Sequence, residues 1–392
     1  MKSKIQVPQD IAQALTLVTE GKLFALQQWV AEGKRVQADD FNDHRFCCLH
    51  RACERGFHSI VEVLLKVEGW SQDAKDSALT GAMHASRLDL VELLLAHGAR
   101  VAAIDFEDLC RTLNIELMTR FLEAGVDPAA DNAFARALDE FKARPLLRFY
   151  RDQVEKYPSL KGQISLALAE AVREKKTRWA ALLAWAGADP FMTVPDELYG
   201  DWDFGEYGGR VAAEIACHSG EPDLVKVLKL RPDPQTRQEL LSRVLWNPSA
   251  EIVRHLIKKV PASELNLGSR QSCKAVEDIV ERRPWNFGYP SMSHTQQDDA
   301  VADCLEILLD AGARWNPDPG RLGSVRRDLI RNSSRYVVRI LRLLLYVPGA
   351  ADRALVAELC RTPVIQRKIY EGDRVLGKEI DELLAETRAG QR

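Results

Sequence analysis

The densest group of side chains able to do chemistry runs from His44 to His58 and contains Cys47, Cys48, His50 and Cys53 as well. Imidazoles and thiolates suit zinc, but a zinc site needs four of them converging tetrahedrally, usually as two close pairs separated by a loop. Here all six crowd one short stretch with helical spacing, so structural roles are expected and no metal is. A second group is acidic and aromatic. Pro195–Gly209 reads PDELYGDWDFGEYGG, placing Asp196, Glu197, Asp201, Asp203 and Glu206 among Tyr199, Trp202, Phe204 and Tyr207, with no Lys or Arg. Aromatic side chains on a loop are interface anchors, and carboxylates around them steer a basic partner. The competing reading folds this loop back, with Trp202 in the core. A third group is the series Arg321, Arg326, Arg327, Arg331, Arg335, Arg339 and Arg342. Guanidinium forks at helical spacing fit carboxylates or phosphates, although Asn332-Ser333-Ser334 reads as a turn that divides the stripe. The alternative is a solvated charged face.

Catalytic signatures are missing. The chain has no Gly-x-x-x-x-Gly-Lys-Ser/Thr phosphate loop, no His-Glu-x-x-His and no Gly-x-Ser-x-Gly nucleophile turn. Gly200, Gly205, Gly208 and Gly209 lack dinucleotide-binding spacing. No enzyme activity and no cofactor are expected.

The elements that carry these residues repeat. Leu49–Leu65 aligns without a gap on the segment starting at Leu79, at an offset of 30 residues. Ala82 falls under Ala52, Leu90-Val91-Glu92 under Ile60-Val61-Glu62, and Leu94-Leu95 under Leu64-Leu65. A small residue such as Ala52 lets one helix lie close to its neighbour. Gly56 suits the left-handed turn that ends that helix. Ile60, Val61, Leu64 and Leu65 then give the second helix one apolar face. So short a hairpin cannot bury that face alone and must stack. A closing phrase recurs at Ala31–Lys34, Ala96–Ala99, Glu123–Val126, Trp185–Ala188 and Asp310–Ala313, each with a glycine in third place.

With these residues in view, the chain resembles the ankyrin-repeat family. That family opens its repeat with Thr-Pro-Leu-His-x-Ala and ends on Gly-Ala-Asp; Leu49-His50-Arg51-Ala52 and Gly187-Ala188-Asp189-Pro190 match these phrases. More degenerate copies follow at Ala216–Leu228, Ile115–Leu122, Arg178–Leu183, Ile252–Ile257, Cys304–Leu309 and Val337–Leu344. The expectation is an all-α, ankyrin-like α-solenoid of about nine or ten helical hairpins with two irregular insertions. Residues 1–42 form an N-terminal capping hairpin with Leu15, Leu17, Leu26 and Val30 on its apolar side. A first block covers 43–190 and the acidic aromatic insertion 191–209. A second block covers 210–350, interrupted at 282–299 by a loop with Trp285, Phe287 and Tyr289. Capping helices at Arg353–Cys360 and Gly377–Glu386 fill 351–392, and the last five residues fray.

The resemblance implies a protein-binding scaffold that holds its partner on a concave face and turn loops. The expected contacts are Tyr199, Asp201, Trp202, Asp203, Phe204, Glu206 and Tyr207, with Arg327, Arg331, Arg335 and Arg339 as a second site. An acidic loop of this kind suits an inhibitor or immunity-type protein for a basic enzyme or toxin. An effector or regulatory adaptor targeting another protein is an alternative, as is a nucleic-acid binder acting through the arginines. A net charge of −3 and a pI near 6.3 argue against nucleic acid. Eight scattered cysteines in 392 residues suit a reducing compartment rather than a disulfide scaffold. No apolar run is long enough to span a bilayer. A soluble, cytoplasmic protein is expected.

Overall fold

A computed structural model describes residues 8–37, 46–193, 211–268, 270–281 and 293–389. Among the described residues the fold is all-α, with 24 α-helices and no strand. β geometry is limited there to two isolated bridges, Leu267 with Ser272 and Trp315 with Ala351. The described residues divide into two compact units: 8–167 with 186–188, and 168–185 with 189–193 and 211–389.

The first unit opens with α1 (Gln9–Thr19), α2 (Leu23–Ala31), α3 (Cys48–Glu54) and α4 (His58–Leu65). It continues with α5 (Gln72–His84), α6 (Leu88–Ala96), α7 (Phe106–Arg111), α8 (Ile115–Glu123), α9 (Ala133–Phe141) and α10 (Arg144–Gln153). Odd helices pack on odd and even on even: α1 on α3, α3 on α5, α7 on α9, and α2 on α4, α4 on α6, α8 on α10. The close approach of α3 and α5 follows from small residues. Ala52 and Ala82 are fully buried, and a Cβ on Gly81 would stand 3.1 Å from the His50 carbonyl oxygen. Further along, Phe106, Phe134 and Phe149 form one aromatic cluster with ring centroids 5.8–6.2 Å apart.

Helix α11 (Ser159–Arg173) and α12 (Thr177–Ala186) follow. The second unit then has α13 (Ala212–His218), α14 (Pro222–Leu228), α15 (Pro234–Val244), α16 (Ala250–Leu256) and the single turn α17 (Ala262–Leu265). After these come α18 (Lys274–Glu281), α19 (His294–Asp310), α20 (Leu322–Arg331), α21 (Ser334–Tyr346), α22 (Arg353–Leu359), α23 (Pro363–Gly372) and α24 (Arg374–Ala389). The same alternation holds: α13 packs on α15, α15 on α18, α18 on α20 and α20 on α22, while α14 packs on α16, α16 on α19, α19 on α21 and α21 on α23. Polar caps start many of these helices. Asp233 accepts the N–H groups of Gln235 and Thr236, and Ser333 accepts that of Tyr336.

One backbone device recurs. The residue between paired helices is left-handed at Gly21, Gly56, Ser86, Leu113, Lys142, Lys175 and Gly220, with φ from 47° to 71°. At Gly56 the N–H bonds Cys53 and the next N–H bonds Ala52; at Ser86 the matching bonds reach Met83 and Ala82. This pair of bonds is the Schellman termination, which needs φ > 0 whatever the side chain. A Cβ in that conformation costs about 1 kcal/mol. Ser86→Gly is therefore expected to raise stability by about 0.5–1 kcal/mol, seen as a higher urea midpoint. A lower midpoint would mean that Ser86 is not left-handed. The closing glycines predicted from the sequence, Gly33, Gly98, Gly125, Gly187 and Gly312, also take positive φ.

Several boundaries differ from expectation. On α1 the buried residues are Ile11, Ala14 and Val18, while Leu15 and Leu17 are half-exposed, because the face at i, i+3 and i+7 is the one turned toward α3. The insertion expected over 282–299 is shorter. Ser293 caps α19 in a reciprocal capping box with Gln296, so residues 294–299 are helix; residues 282–292, with Trp285, Phe287 and Tyr289, lie outside the described residues. At the other end α23, begun by Pro363 at its first position, lies where the sequence predicts no helix. Helix α24 extends to Ala389, beyond the expected Glu386. Among the described residues no helix is long and apolar enough to cross a membrane.

Candidate partner-binding surfaces

The arginine series sits on α20 and α21, and the turn read from Asn332-Ser333-Ser334 does divide it, since α20 ends at Arg331 and Ser333 caps α21. Arg327 is exposed. Arg331 is exposed and reaches Asp328 on its own helix at 3.5 Å. Arg335 grips Asp299 with Nη2 at 2.8 and 3.0 Å. Arg339 bonds Asp299 at 3.1 Å and also pairs with Asp303. Two arginines one turn apart on α21 thus face two aspartates one turn apart on α19. Their neighbours behave alike: Arg326 meets Glu358 at 2.5 Å, Arg342 pairs with Asp373, and Arg321 reaches the buried Glu281 at 3.2 Å. Burial pushes the Glu281 carboxyl above its usual range, against the pull of Arg321.

Ion pairs across adjacent hairpins are general. In the first unit Arg120 pairs with Glu92, and Arg136 meets Glu107 at 2.9 Å. In the second, Lys226 meets Glu251 at 2.5 Å and Arg243 meets Glu214 at 3.4 Å. The partners stand about one helix pair apart in the chain, at 28 residues for Glu92 and Arg120 and 36 for Asp299 and Arg335. This complementarity was visible in the sequence but escapes notice when each charge is weighed only against its own helix.

Loops after the second helices are bonded to neighbouring helices and loops. Asp76, buried on α5, accepts from the backbone N–H, Nε and Nη2 of Arg100 at 2.7, 2.8 and 2.6 Å. Asn266 accepts the Arg314 N–H at 2.7 Å and donates to the Gly312 carbonyl at 2.8 Å. The buried Trp315 donates its backbone N–H to Ala350 at 2.7 Å.

Within the His/Cys group, His50 and the three cysteines serve packing. His50 Nδ1 lies 2.7 Å from the Ser77 carbonyl oxygen and 3.0 Å from its hydroxyl, tying α3 to α5. Cys47, Cys48 and Cys53 are buried. Desolvation drives the Cys48 thiol up to about 12, which leaves a weak nucleophile and a poor metal ligand. His44 lies outside the described residues, and among those described no three His, Cys, Asp or Glu side chains converge as a metal site. Large apolar groups are exposed at Phe24 (83%) and Val375 (73%). The contacts expected at Tyr199, Asp201, Trp202, Asp203, Phe204, Glu206 and Tyr207 lie outside the described residues. No known family model matches the chain, and no curated protein matches it.

Proposed function

We propose that this chain is an ankyrin-like α-solenoid and that it works as a non-enzymatic scaffold holding a protein partner. The observation that carries the reading is the alternation within each unit: first helices of the pairs pack on first helices and second on second, and in seven of the pairs a left-handed residue separates the two helices. Repeats stacked this way spend their apolar faces on their neighbours and leave turn loops and outer helix faces for recognition. The acidic aromatic segment Pro195–Gly209 is the proposed primary contact, with Tyr199, Trp202, Phe204 and Tyr207 as anchors and Asp201, Asp203 and Glu206 steering a basic partner. An inhibitor or immunity-type role against a basic enzyme or toxin fits that chemistry. Of the second arginine site, Arg327 and Arg331 are the better candidates, because Arg335 and Arg339 are already bound to Asp299 and Asp303.

Affinity purification of the wild type and of a Trp202→Ala/Phe204→Ala variant from the native host tests this. A basic protein recovered with the wild type and reduced at least about tenfold with the variant is the expected result, since two anchors carry more than about 1.4 kcal/mol together. Equal recovery with both would remove the loop from the binding site.

A further inference from the structure

One stripe of helix α24 carries its charges in an order the helix dipole disfavours. Arg374, Lys378, Glu382 and Glu386 recur every four residues and line one stripe, cations first and anions last. All four are exposed, and none joins an ion pair among the described residues. Basic residues in a first turn and acidic ones in a last turn oppose the helix macrodipole, and Lys placed four before Glu is the weaker order of that pair. The inner face, Leu376, Ile380 and Leu384, is buried where α24 packs on α22 and α23. The stripe therefore adds nothing to the seating of the helix. Beside it a groove of about 820 Å³ runs between α22 and α24, lined by Arg353, Ala354, Val375 and Leu383 among others. Val375 leaves 73% of its surface exposed there.

We propose that this face binds the same face of a second copy of the chain, antiparallel about a twofold axis near Ile380. A stripe of two cations followed by two anions complements itself only when reversed. The axis sets Arg374 against Glu386 of the partner subunit and Lys378 against Glu382 of the partner subunit, and each pair occurs twice. It also brings Val375 against Ala385 of the partner subunit and sets the two helix dipoles antiparallel. Such a contact is isologous and closes at two copies. A 16-residue helix is only about 24 Å long, so the association is weak and depends on salt. This interface is separate from the partner contact proposed above and stands or falls independently of it.

Sedimentation equilibrium of the full chain from roughly 1 to 300 μM, at low and high salt, tests the proposal. A reversible dimer that weakens with salt is expected. Lys378→Glu should weaken it about tenfold, because it turns two attractions into two repulsions. Reversing all four charges (Arg374→Glu, Lys378→Glu, Glu382→Lys, Glu386→Lys) makes the stripe self-complementary again and agrees with the helix dipole, so dimerisation should return to within about threefold of wild type. A monomer throughout the range would overturn the proposal and leave the groove to a different partner. A fourfold variant that stays as weak as Lys378→Glu would overturn it equally.

Discussion

Replacing Phe134 with alanine is expected to remove about 3–5 kcal/mol of stability. Its ring is fully buried and meets Phe149 at 5.8 Å and Phe106 at 6.1 Å, edge to face in both contacts. Those two rings come from α7 and α10, so a cavity at Phe134 withdraws packing from both neighbours at once. The helices around it are short, six residues in α7 and nine in α9, and short helices draw their stability from tertiary packing rather than from propensity. Urea denaturation measures the loss, and hydrogen exchange should show the α7–α10 amides losing protection. A loss below about 1 kcal/mol would mean that the three rings do not form a packed unit.

Asp76→Asn should cost about 2 kcal/mol at neutral pH. The carboxylate is 6% exposed and accepts three bonds from Arg100 and one from Gln72 at 2.9 Å. An asparagine amide would turn an N–H₂ toward a guanidinium that needs an acceptor. Burial alone raises the acid's pKa, but the Arg100 N–H, its guanidinium and Gln72 outweigh burial and hold the carboxyl below its usual range. The sign follows from linkage. With the folded pKa depressed, the stabilisation is fully present above the unfolded value of about 4 and disappears as pH falls through the lower folded value. The stability gap between wild type and variant should therefore narrow steadily in acid below about pH 4. A gap that stayed constant down to pH 2 would show that the charge on Asp76 is not what stabilises this loop.

The sequence showed helical pairs wherever apolar periodicity and a glycine coincided. Leu49–Leu65 and Leu79–Leu95 are the clearest cases, and the copies centred on Ile115, Arg178, Ile252, Cys304 and Val337 each fall on a helix. The pair α9–α10 is not legible in the sequence for a physical reason. Its inter-helix turn is Lys142, left-handed at φ 47°, and no Gly-Ala phrase closes it, so neither punctuation mark is there to read. Helix α23 was hidden by the proline that begins it. Proline breaks a helical pattern in the interior but is well placed at a first position.

Candidate contacts were less legible. The spacing of the arginine series along its own helices reads as a free basic stripe. Its carboxylates stand one hairpin earlier, at Asp299 and Asp303, or one later, at Glu358 and Asp373. Only the stacking register brings them within reach. Spacing along one helix identifies a face, whereas a partner on the neighbouring helix decides whether that face is occupied.

The seven left-handed turns have a consequence for how such a chain varies. Glycine, serine, leucine and lysine all occupy the same backbone conformation, and at Gly21, Gly56, Ser86 and Lys175 the same pair of main-chain hydrogen bonds holds it whatever the side chain. Each departure from glycine costs about 1 kcal/mol, small beside the packing of a whole helix pair. The path of the chain is thereby uncoupled from the letters that usually advertise it. Turn residues can drift one by one while the hairpin persists, and a search keyed to residue identity loses the trail before the architecture changes.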